Sequence, residues 1–171
     1  MAIGSDPAVP PIEGTEYAIQ AVDTYEMAEQ LGERTVIIGG GTIGCELALL
    51  LDSYGKKTTV LEMTDRLHRQ NSLFYDIALD QQLAIRSGIE TITEEKVTKI
   101  LENRVDYYRN GMLYSIPCDS VILASGLKSK TDEAFSFFEN EGVSVHMIGD
   151  CVKIGKIKDA TESAYFVAAN I

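Results

Sequence analysis

The sequence predicts an α/β fold in which a parallel βαβαβ sheet carries helices on both faces and an antiparallel three-stranded β-meander covers it. Three observations predict it. A glycine turn at residues 39–44 joins an apolar strand to an amphipathic helix. A second strand, helix and strand follow over residues 58–93. Apolar residues then recur at every second position, as in strands, and Asn110-Gly111 supplies a hairpin turn between two of these later strands.

The first half of the chain contains the predicted βαβαβ unit. Residues 5–14 are rich in proline and lack periodicity, so we expect an extended connector. A short helix over 24–31 is favoured by Asp23 or Thr24 as N-cap and Gly32 as stop. The remaining elements of this half are a strand at 36–38, a helix at 43–54, a strand at 58–61, a helix at 72–87 and a strand at 89–93.

The second half reads as strands followed by a terminal helix. We expect the meander at 97–101, 104–109 and 112–116, and a buried strand at 121–124 that ends at Ser125-Gly126. A loop or short helix runs to Gly142, and a last strand follows at 143–148. Residues 159–171 form an amphipathic helix.

The glycine turn carries the chemistry. Gly39, Gly41 and Gly44 fall at the G-x-G-x-x-G spacing between the first strand and its helix. Gly39 permits the tight turn, Gly41 lets the backbone approach a pyrophosphate, and Gly44 lets the helix lie close to the strand. The free N–H groups of the first helical turn then face the phosphates, and the helix dipole favours their charge. This strand, turn and helix predict a dinucleotide site.

Glu62 stands at the end of the second strand, where a carboxylate accepts hydrogen bonds from both ribose hydroxyls of an adenosine. Glu62 and Met63, in place of an arginine pair, favour NAD(H) over NADP, because a carboxylate repels a 2′-phosphate. Arg66 and Arg69 follow closely and leave NADP open as the less favoured cofactor.

Composition narrows the class of partner. At 171 residues the chain is long enough for one domain, and its net charge of −11 argues against nucleic acid and against an anionic membrane surface. No apolar run is long enough to span a bilayer and the first residues do not resemble a secretory signal, so we expect a cytoplasmic protein. The three cysteines are widely spaced, which predicts reduced thiols in packed positions and no metal site.

Four stretches together carry a family signature: IGSDPAVPPIEG, GGGTIGCELA, SVILASGLKSK and VHMIGDCVKIGKIKDATESAYFVAANI. With them the chain resembles the pyridine-nucleotide domain of flavin oxidoreductases that bind both FAD and NAD. It is most similar to the C-terminal part of the bacterial NADH:flavin oxidoreductases related to 2-enoate reductase, 2,4-dienoyl-CoA reductase and trimethylamine dehydrogenase. The resemblance implies an oxidoreductase in which the protein orients the nicotinamide towards a flavin, and no catalytic residue from this segment.

The resemblance also implies a domain organisation. In the family the NAD domain is inserted into the FAD domain, and Ile3-Gly4-Ser5-Asp6-Pro7 and Ile148-Gly149-Asp150 match the two crossings between them. We therefore expect residues 1–14 to connect from a FAD domain, 15–148 to form the NAD(P)-binding domain, and 149–171 to return to the FAD domain. The family's second glycine motif, which holds FAD, and its cysteine clusters are not in this sequence. We expect a segment of a longer enzyme, inactive alone, whose partners are the FAD domain and an FMN-type catalytic domain.

Individual residues receive roles from the same resemblance. The pyrophosphate contacts are Gly39, Gly40, Gly41, Thr42, Ile43 and Gly44. Glu46 matches a glutamate that faces the nicotinamide, and Ala124, Ser125 and Gly126 match the loop that passes under the cofactor. Asp150 resembles the aspartate that binds the ribityl chain of FAD.

Other interpretations of these residues stay open at this stage. Glu46 is also consistent with a solvated helix residue, and Gly126 with a simple strand end. His68 is interpreted as a loop histidine, His146 as a structural residue, and Cys45 as a small buried hydrophobe. Two further functions are compatible with the sequence: a free-standing module that senses NAD(H) or holds ADP without redox work, and a purely structural domain.

Overall fold

The structure is a computed structural model that describes residues 1–68, 73–137, 142 and 144–171. These residues form two compact units: the first is Val9–Gly126, and the second joins Met1–Ala8 to Leu127–Ile171. Within them we number the strands β1 Ser5–Pro7, β2 Ile19–Gln20, β3 Arg34–Ile38, β4 Lys57–Leu61, β5 Ile89–Ile92, β6 Lys96–Leu101, β7 Arg104–Arg109, β8 Met112–Pro117, β9 Ser120–Leu123 and β10 Leu127–Ser129. The helices are α1 Ala21–Met27, α2 Thr42–Ser53, α3 Leu73–Ala84, α4 Thr131–Ser136 and α5 Ile157–Ala168.

The first unit is built on a five-stranded parallel sheet with the order β2-β9-β3-β4-β5. Its central strands end in buried apolar runs, as expected where both faces are covered: residues 36–38 in β3, 60–61 in β4 and 121–123 in β9. Ile37 lies level with Val60 on one side and with Ile122 on the other, and all three are fully buried. The α/β class and the parallel sheet are therefore confirmed.

The meander of β6, β7 and β8 is confirmed with bounds close to those predicted. Asn110 and Gly111 both have positive φ, 51° and 77°, which is the conformation of a type I′ turn. The turn therefore fixes the register in which Tyr107 lies opposite Tyr114.

The two faces of the parallel sheet are covered differently. One hydrophobic cluster joins sheet residues such as Ile37 and Val60 to the buried sides of α1, α2 and α3. The other joins Val36 and Leu61 to Val105 and the rest of the meander. The prediction of helices on both faces is corrected here, because the connection from β5 to β9 is made of strands and occupies the second face.

Several local predictions also need correction. Helix α1 begins at Ala21, so Thr24 lies inside it, where its hydroxyl donates to the Gln20 carbonyl at 3.1 Å. Residues 144–148 form no strand, and residue 143 lies outside the described residues. The Ile148 N–H and the His146 carbonyl of this segment both hydrogen-bond to Met1. A single residue is too short to form a ladder of strand hydrogen bonds.

The second unit contains the strand pair of β1 with β10, helices α4 and α5, and a short 3₁₀ turn at Gly149–Cys151. Part of the predicted connector at 5–14 is therefore the strand β1, and β10 follows Gly126 where a loop or helix was expected. Lys130 bridges to Asp6 at 3.1 Å, and the Thr131 hydroxyl donates to the Cys151 carbonyl at 2.8 Å. The assignment of residues to NAD and FAD domains stays a prediction.

Candidate nucleotide-binding site

The glycine turn connects the carboxyl end of β3 to the start of α2. Gly39 has φ 112°, a conformation that L side chains rarely adopt, and its N–H donates to the Leu61 carbonyl at 2.8 Å. An added Cβ at Gly39 would lie 2.4 Å from the Ala124 carbonyl oxygen. Only glycine fits here, because the turn is pressed between the ends of β4 and β9.

Gly44 and Gly41 have opposite surroundings. An added Cβ on Gly44 would lie 2.0 Å from the Gly39 carbonyl oxygen, so helix α2 approaches the turn as closely as predicted. An added Cβ on Gly41 would have no heavy atom of the described residues within 4 Å. Gly41 has φ −67°, which any residue adopts, so the backbone conformation does not require glycine at this position. What the structure shows there is open space beside the start of a helix.

The N-terminus of α2 faces that space. Gly41 is the N-cap, and within the described chain no side chain caps this helix end. Thr42, Ile43 and Gly44 form its first turn, where N–H groups lack intrahelical acceptors and the helix dipole is positive. This arrangement suits a phosphate group.

Glu62 is bound to the turn itself. Its Oε2 accepts the Gly40 N–H at 2.8 Å, while its Oε1 accepts the N–H and the hydroxyl of Thr64, both at 2.8 Å. Gly40 has no room for a side chain, because an added Cβ would lie 2.5 Å from the Leu67 side chain. The carboxylate therefore links the glycine turn to the segment after β4.

The other predicted residues of the first unit follow the ends of neighbouring strands. Ala124 comes directly after β9, and its N–H donates to the Ile38 carbonyl at 2.8 Å. Ser125 and Gly126 are exposed, and Gly126 has φ 97°. Met63 is 71% exposed. The carboxyl ends of β3, β4 and β9 thus meet at one edge of the sheet, where α/β folds bind ligands.

Glu46 lies on α2 and interacts with two tyrosines of neighbouring helices. It accepts a short hydrogen bond from the Tyr75 hydroxyl of α3, and this bond raises the pKa of Tyr75. Burial and the Glu46 charge raise the pKa of Tyr25 on α1. The side chain is therefore partnered by neighbouring helices, and its predicted role towards the nicotinamide stays a prediction.

Asp150 belongs to the second unit, in the 3₁₀ turn Gly149–Cys151. Its Oδ1 accepts the Gly155 N–H at 3.2 Å. The predicted role of Asp150 towards a flavin stays a prediction.

Sequence reasoning missed two residues at this edge. Nothing in the sequence indicated Thr64, which supplies two of the three hydrogen bonds that the described residues make to the Glu62 carboxylate. His68 is in a loop as predicted, but its side chain is 3% exposed and contacts Asp76 and Asp80 of α3. Asp76 and Asp80 are one helical turn apart, so they lie on the same face of α3. This spacing could have indicated that they share a partner.

Cys45 is a buried hydrophobe, as predicted. It is 0% exposed, and burial, together with the charges of Asp80 and Glu62, raises its pKa to about 12. The described residues contain no group of side chains arranged to hold a metal ion, and none of their helices is long and apolar enough to cross a membrane.

Comparison with known proteins decides the family. The model of the pyridine nucleotide-disulphide oxidoreductase family matches residues 1–164. The chain belongs to this family. It is 33% identical to an NADH oxidase of Thermoanaerobacter brockii and 32% identical to a bilirubin reductase of Mediterraneibacter gnavus, in each case over the whole chain and 27% of the relative.

A solved structure agrees over nearly the whole chain. A 2-naphthoyl-CoA reductase in complex with 2-naphthoyl-CoA superposes with a TM-score of 0.89 and 25% identity, covering 99% of this chain and 26% of that one. The chain thus spans about a quarter of the length of these relatives. Members of this family are redox enzymes that bind FAD and NAD(P).

Proposed function

We propose that this chain binds NAD(H) at the carboxyl edge of its parallel sheet and presents the nicotinamide to a flavin held by other parts of a larger enzyme. One observation carries the proposal. The open space at Gly41 lies at a helix N-terminus whose N-cap is not bonded by any described side chain, and Glu62 is anchored to the adjoining Gly40. When bound, NADH supplies a hydride, and the protein's part is to bind and orient it.

The pyrophosphate fits at the first turn of α2. Gly39 and Gly44 have no room for a side chain, so they bring strand and helix together, while Gly41 leaves the approach clear. The N–H groups of the first turn then face a group that carries negative charge. Their partial positive charge stabilises it without a lysine or arginine in this turn.

The adenosine ribose fits at Glu62. A carboxylate has about four acceptor sites, and Gly40 and Thr64 together use three of them. One site on Oε2 is left for a ribose hydroxyl. The Thr64 hydroxyl also lies 2.9 Å from the Arg66 carbonyl oxygen, so it can turn to that acceptor and release Oε1 for the second hydroxyl.

The same carboxylate favours NAD(H) over NADP(H), because a 2′-phosphate would bring negative charge against it. The side chain of Arg66 is exposed in the following segment, so NADP remains the weaker alternative. Arg69 lies outside the described residues.

The enzyme around this domain is proposed from the relatives. Their names include an NADH oxidase, a bilirubin reductase and a cinnamate reductase, all about four times the length of this chain. With the resemblance to 2-enoate reductase relatives, this supports a cytoplasmic NADH:flavin oxidoreductase with FAD in a neighbouring domain and the final acceptor at an FMN-type catalytic domain.

Isothermal titration of the 171-residue chain with three ligands tests the binding mode. We expect ADP-ribose to bind nearly as tightly as NADH and nicotinamide mononucleotide to bind far more weakly, since the site described here holds the pyrophosphate and adenosine ribose. In parallel ¹H–¹⁵N spectra, the amides of Gly40 and Gly44 should shift, while Gly88, which precedes β5 at the opposite edge, should not. Absence of NADH binding at millimolar ligand would refute the proposal.

A further inference from the structure

His68 holds a buried position between two carboxylates of one helix. Its Nε2 lies 2.9 Å from Asp80 Oδ1 and its Nδ1 lies 3.3 Å from Asp76 Oδ1, both on α3. The ring is 3% exposed, and its backbone has φ 34°, in the region that few residues other than glycine adopt. Ring and backbone are therefore both held in one arrangement.

The two contacts constrain the charge of the ring. A neutral imidazole has one N–H donor and one acceptor nitrogen. If a neutral ring lay between two carboxylates, its acceptor nitrogen would face a carboxylate oxygen, and the lone pairs of these two atoms would repel each other. The protonated ring has two donors and a positive charge. Nδ1 and the Asp76 oxygen form no aligned hydrogen bond with each other or with any other described residue. A ring that carries a proton on each nitrogen would present a donor to both carboxylates.

The backbone of His68 is joined to the glycine turn. Its N–H donates to the Gly40 carbonyl at 2.8 Å, while the Gly40 N–H donates to Glu62 at 2.8 Å. Both polar groups of Gly40 are thus bound to the segment from Glu62 to His68, and the Leu67 side chain packs on the same glycine. The His68 ring fixes the far end of this segment to α3.

We propose that His68 is a positioning residue whose protonated ring braces the glycine turn against α3 and so holds it in the conformation that binds a dinucleotide. The proposal rests on the proposed NAD(H) site and makes nucleotide binding at that site depend on pH. Loss of the proton breaks the contact to one aspartate, loosens the segment after β4, and thereby weakens nucleotide binding.

The described groups around the ring are acidic or uncharged. Helix α3 contributes Asp76 and Asp80, and the end of β4 contributes Glu62 through Gly40. From α2, the buried Cys45 thiol donates to the same Gly40 carbonyl at 3.5 Å and is uncharged, because burial raises its pKa to about 12. Among the described groups packed here, none is a competing cation.

Histidine resonances test the brace directly, because the chain has only two histidines and His146 is exposed. In a His146→Gln background, we expect the His68 ring and the Gly40 amide to titrate together. Asp80→Asn should weaken this coupling between the ring and the amide, because it removes one of the two carboxylates that hold the ring. A Gly40 amide that does not follow the ring would overturn the proposal.

NADH affinity as a function of pH tests the consequence. We expect binding to weaken about fivefold or more as pH rises through the histidine range, the lower end of typical couplings between sites. His68→Asn, whose side chain tolerates positive φ, should bind weakly at every pH and lose this dependence. Asp119→Asn is the matched control, since it breaks the Arg34–Asp119 ion pair at the opposite edge and should keep the dependence.

The two proposals fail differently. Tight NADH binding with the same affinity across this pH range, or a His68→Asn variant that keeps the pH dependence, overturns the role of His68 alone. No NADH binding at any pH, with the His68 and Gly40 titrations still coupled, refutes the proposed NAD(H) site and supports the brace.

Discussion

The Gly40 N–H donates a 2.8 Å hydrogen bond to the side chain of Glu62, which links the turn after β3 to the end of β4. In dinucleotide-binding folds the acidic residue at the end of the second strand accepts a hydrogen bond from the ribose. Here it also fixes the backbone of the glycine turn before any ligand binds. Glu62 therefore contributes to stability as well as to recognition.

Glu62→Ala should affect both properties. We expect the parent chain to bind NADH more tightly than NADPH, and the variant to narrow that difference because the repulsion of the 2′-phosphate is removed. We also expect a loss of about 1–3 kcal/mol in the free energy of unfolding, since the N–H groups of Gly40 and Thr64 lose their acceptor.

Thr64→Val is the control for this experiment, because it removes one hydroxyl donor and leaves the carboxylate in place. Its selectivity should match that of the parent chain. Calorimetric titration with both cofactors and urea unfolding measure the two effects. Equal affinities for NADH and NADPH in the parent chain would contradict the assignment of Glu62.

The elements that the sequence predicted best are those with a local physical cause. Asn110-Gly111 dictates a type I′ turn, so the hairpin could be placed to within a residue. Gly39 and Gly44 are required by close backbone approach, and their spacing already indicated this. Such features depend on residues that are neighbours along the chain.

The features that the sequence did not predict depend on long-range contacts. The contact of His68 with Asp80 requires knowledge of where α3 packs. Residues 144–148 have a strand-like composition, but a strand needs a partner strand, and among the described residues this segment hydrogen-bonds only to Met1 and Cys151. The placement of all three sheet-packing helices on one face follows from the meander, which covers the other.

The purified chain should be colourless. It contains one glycine motif of the dinucleotide type, which the proposed NAD(H) site uses, and Asp150 alone offers few contacts to a flavin. Absorbance after gel filtration in the presence of added FAD measures retention. A flavin band at stoichiometric level would show that the domain assignment is wrong.

Cys45 should make the chain sensitive to alkaline pH. Its pKa rises from an ordinary 9.0 to about 12 in the folded state, chiefly through burial. The unfolded chain therefore loses this proton first, so the contribution to stability is complete below about pH 9 and is lost as pH rises towards 12.

Urea unfolding of the parent chain and Cys45→Ala at about pH 8 and about pH 10.5 measures this difference. The free energy of unfolding should fall more steeply with pH in the parent chain. Cys118, whose pKa burial raises to about 11, provides the comparison variant Cys118→Ala with a smaller effect. Identical pH slopes for the parent chain and Cys45→Ala would contradict the prediction.

Three glycine-to-alanine changes in α2 and at its two ends separate cofactor binding from folding. Gly41→Ala places a methyl group in open space with a permitted φ of −67°, so the free energy of unfolding should change by less than about 1 kcal/mol. If the pyrophosphate occupies that space, NADH binding should weaken about tenfold or more, a loss of at least about 1.4 kcal/mol. Gly44→Ala instead forces a methyl group to 2.0 Å from the Gly39 carbonyl and should cost about 3 kcal/mol or more in stability.

Gly55→Ala is the matched control for Gly41→Ala, because it makes the same change just beyond the opposite end of the same helix. It also has open space, but its φ of 76° predicts a strain of roughly 1 kcal/mol. We therefore expect the two variants to have opposite profiles: Gly55→Ala loses stability and keeps NADH affinity, while Gly41→Ala keeps stability and loses affinity. Fluorescence titration and thermal unfolding measure both. A Gly41→Ala variant that is folded and binds NADH as tightly as the parent chain would remove the observation on which the NAD(H) site depends.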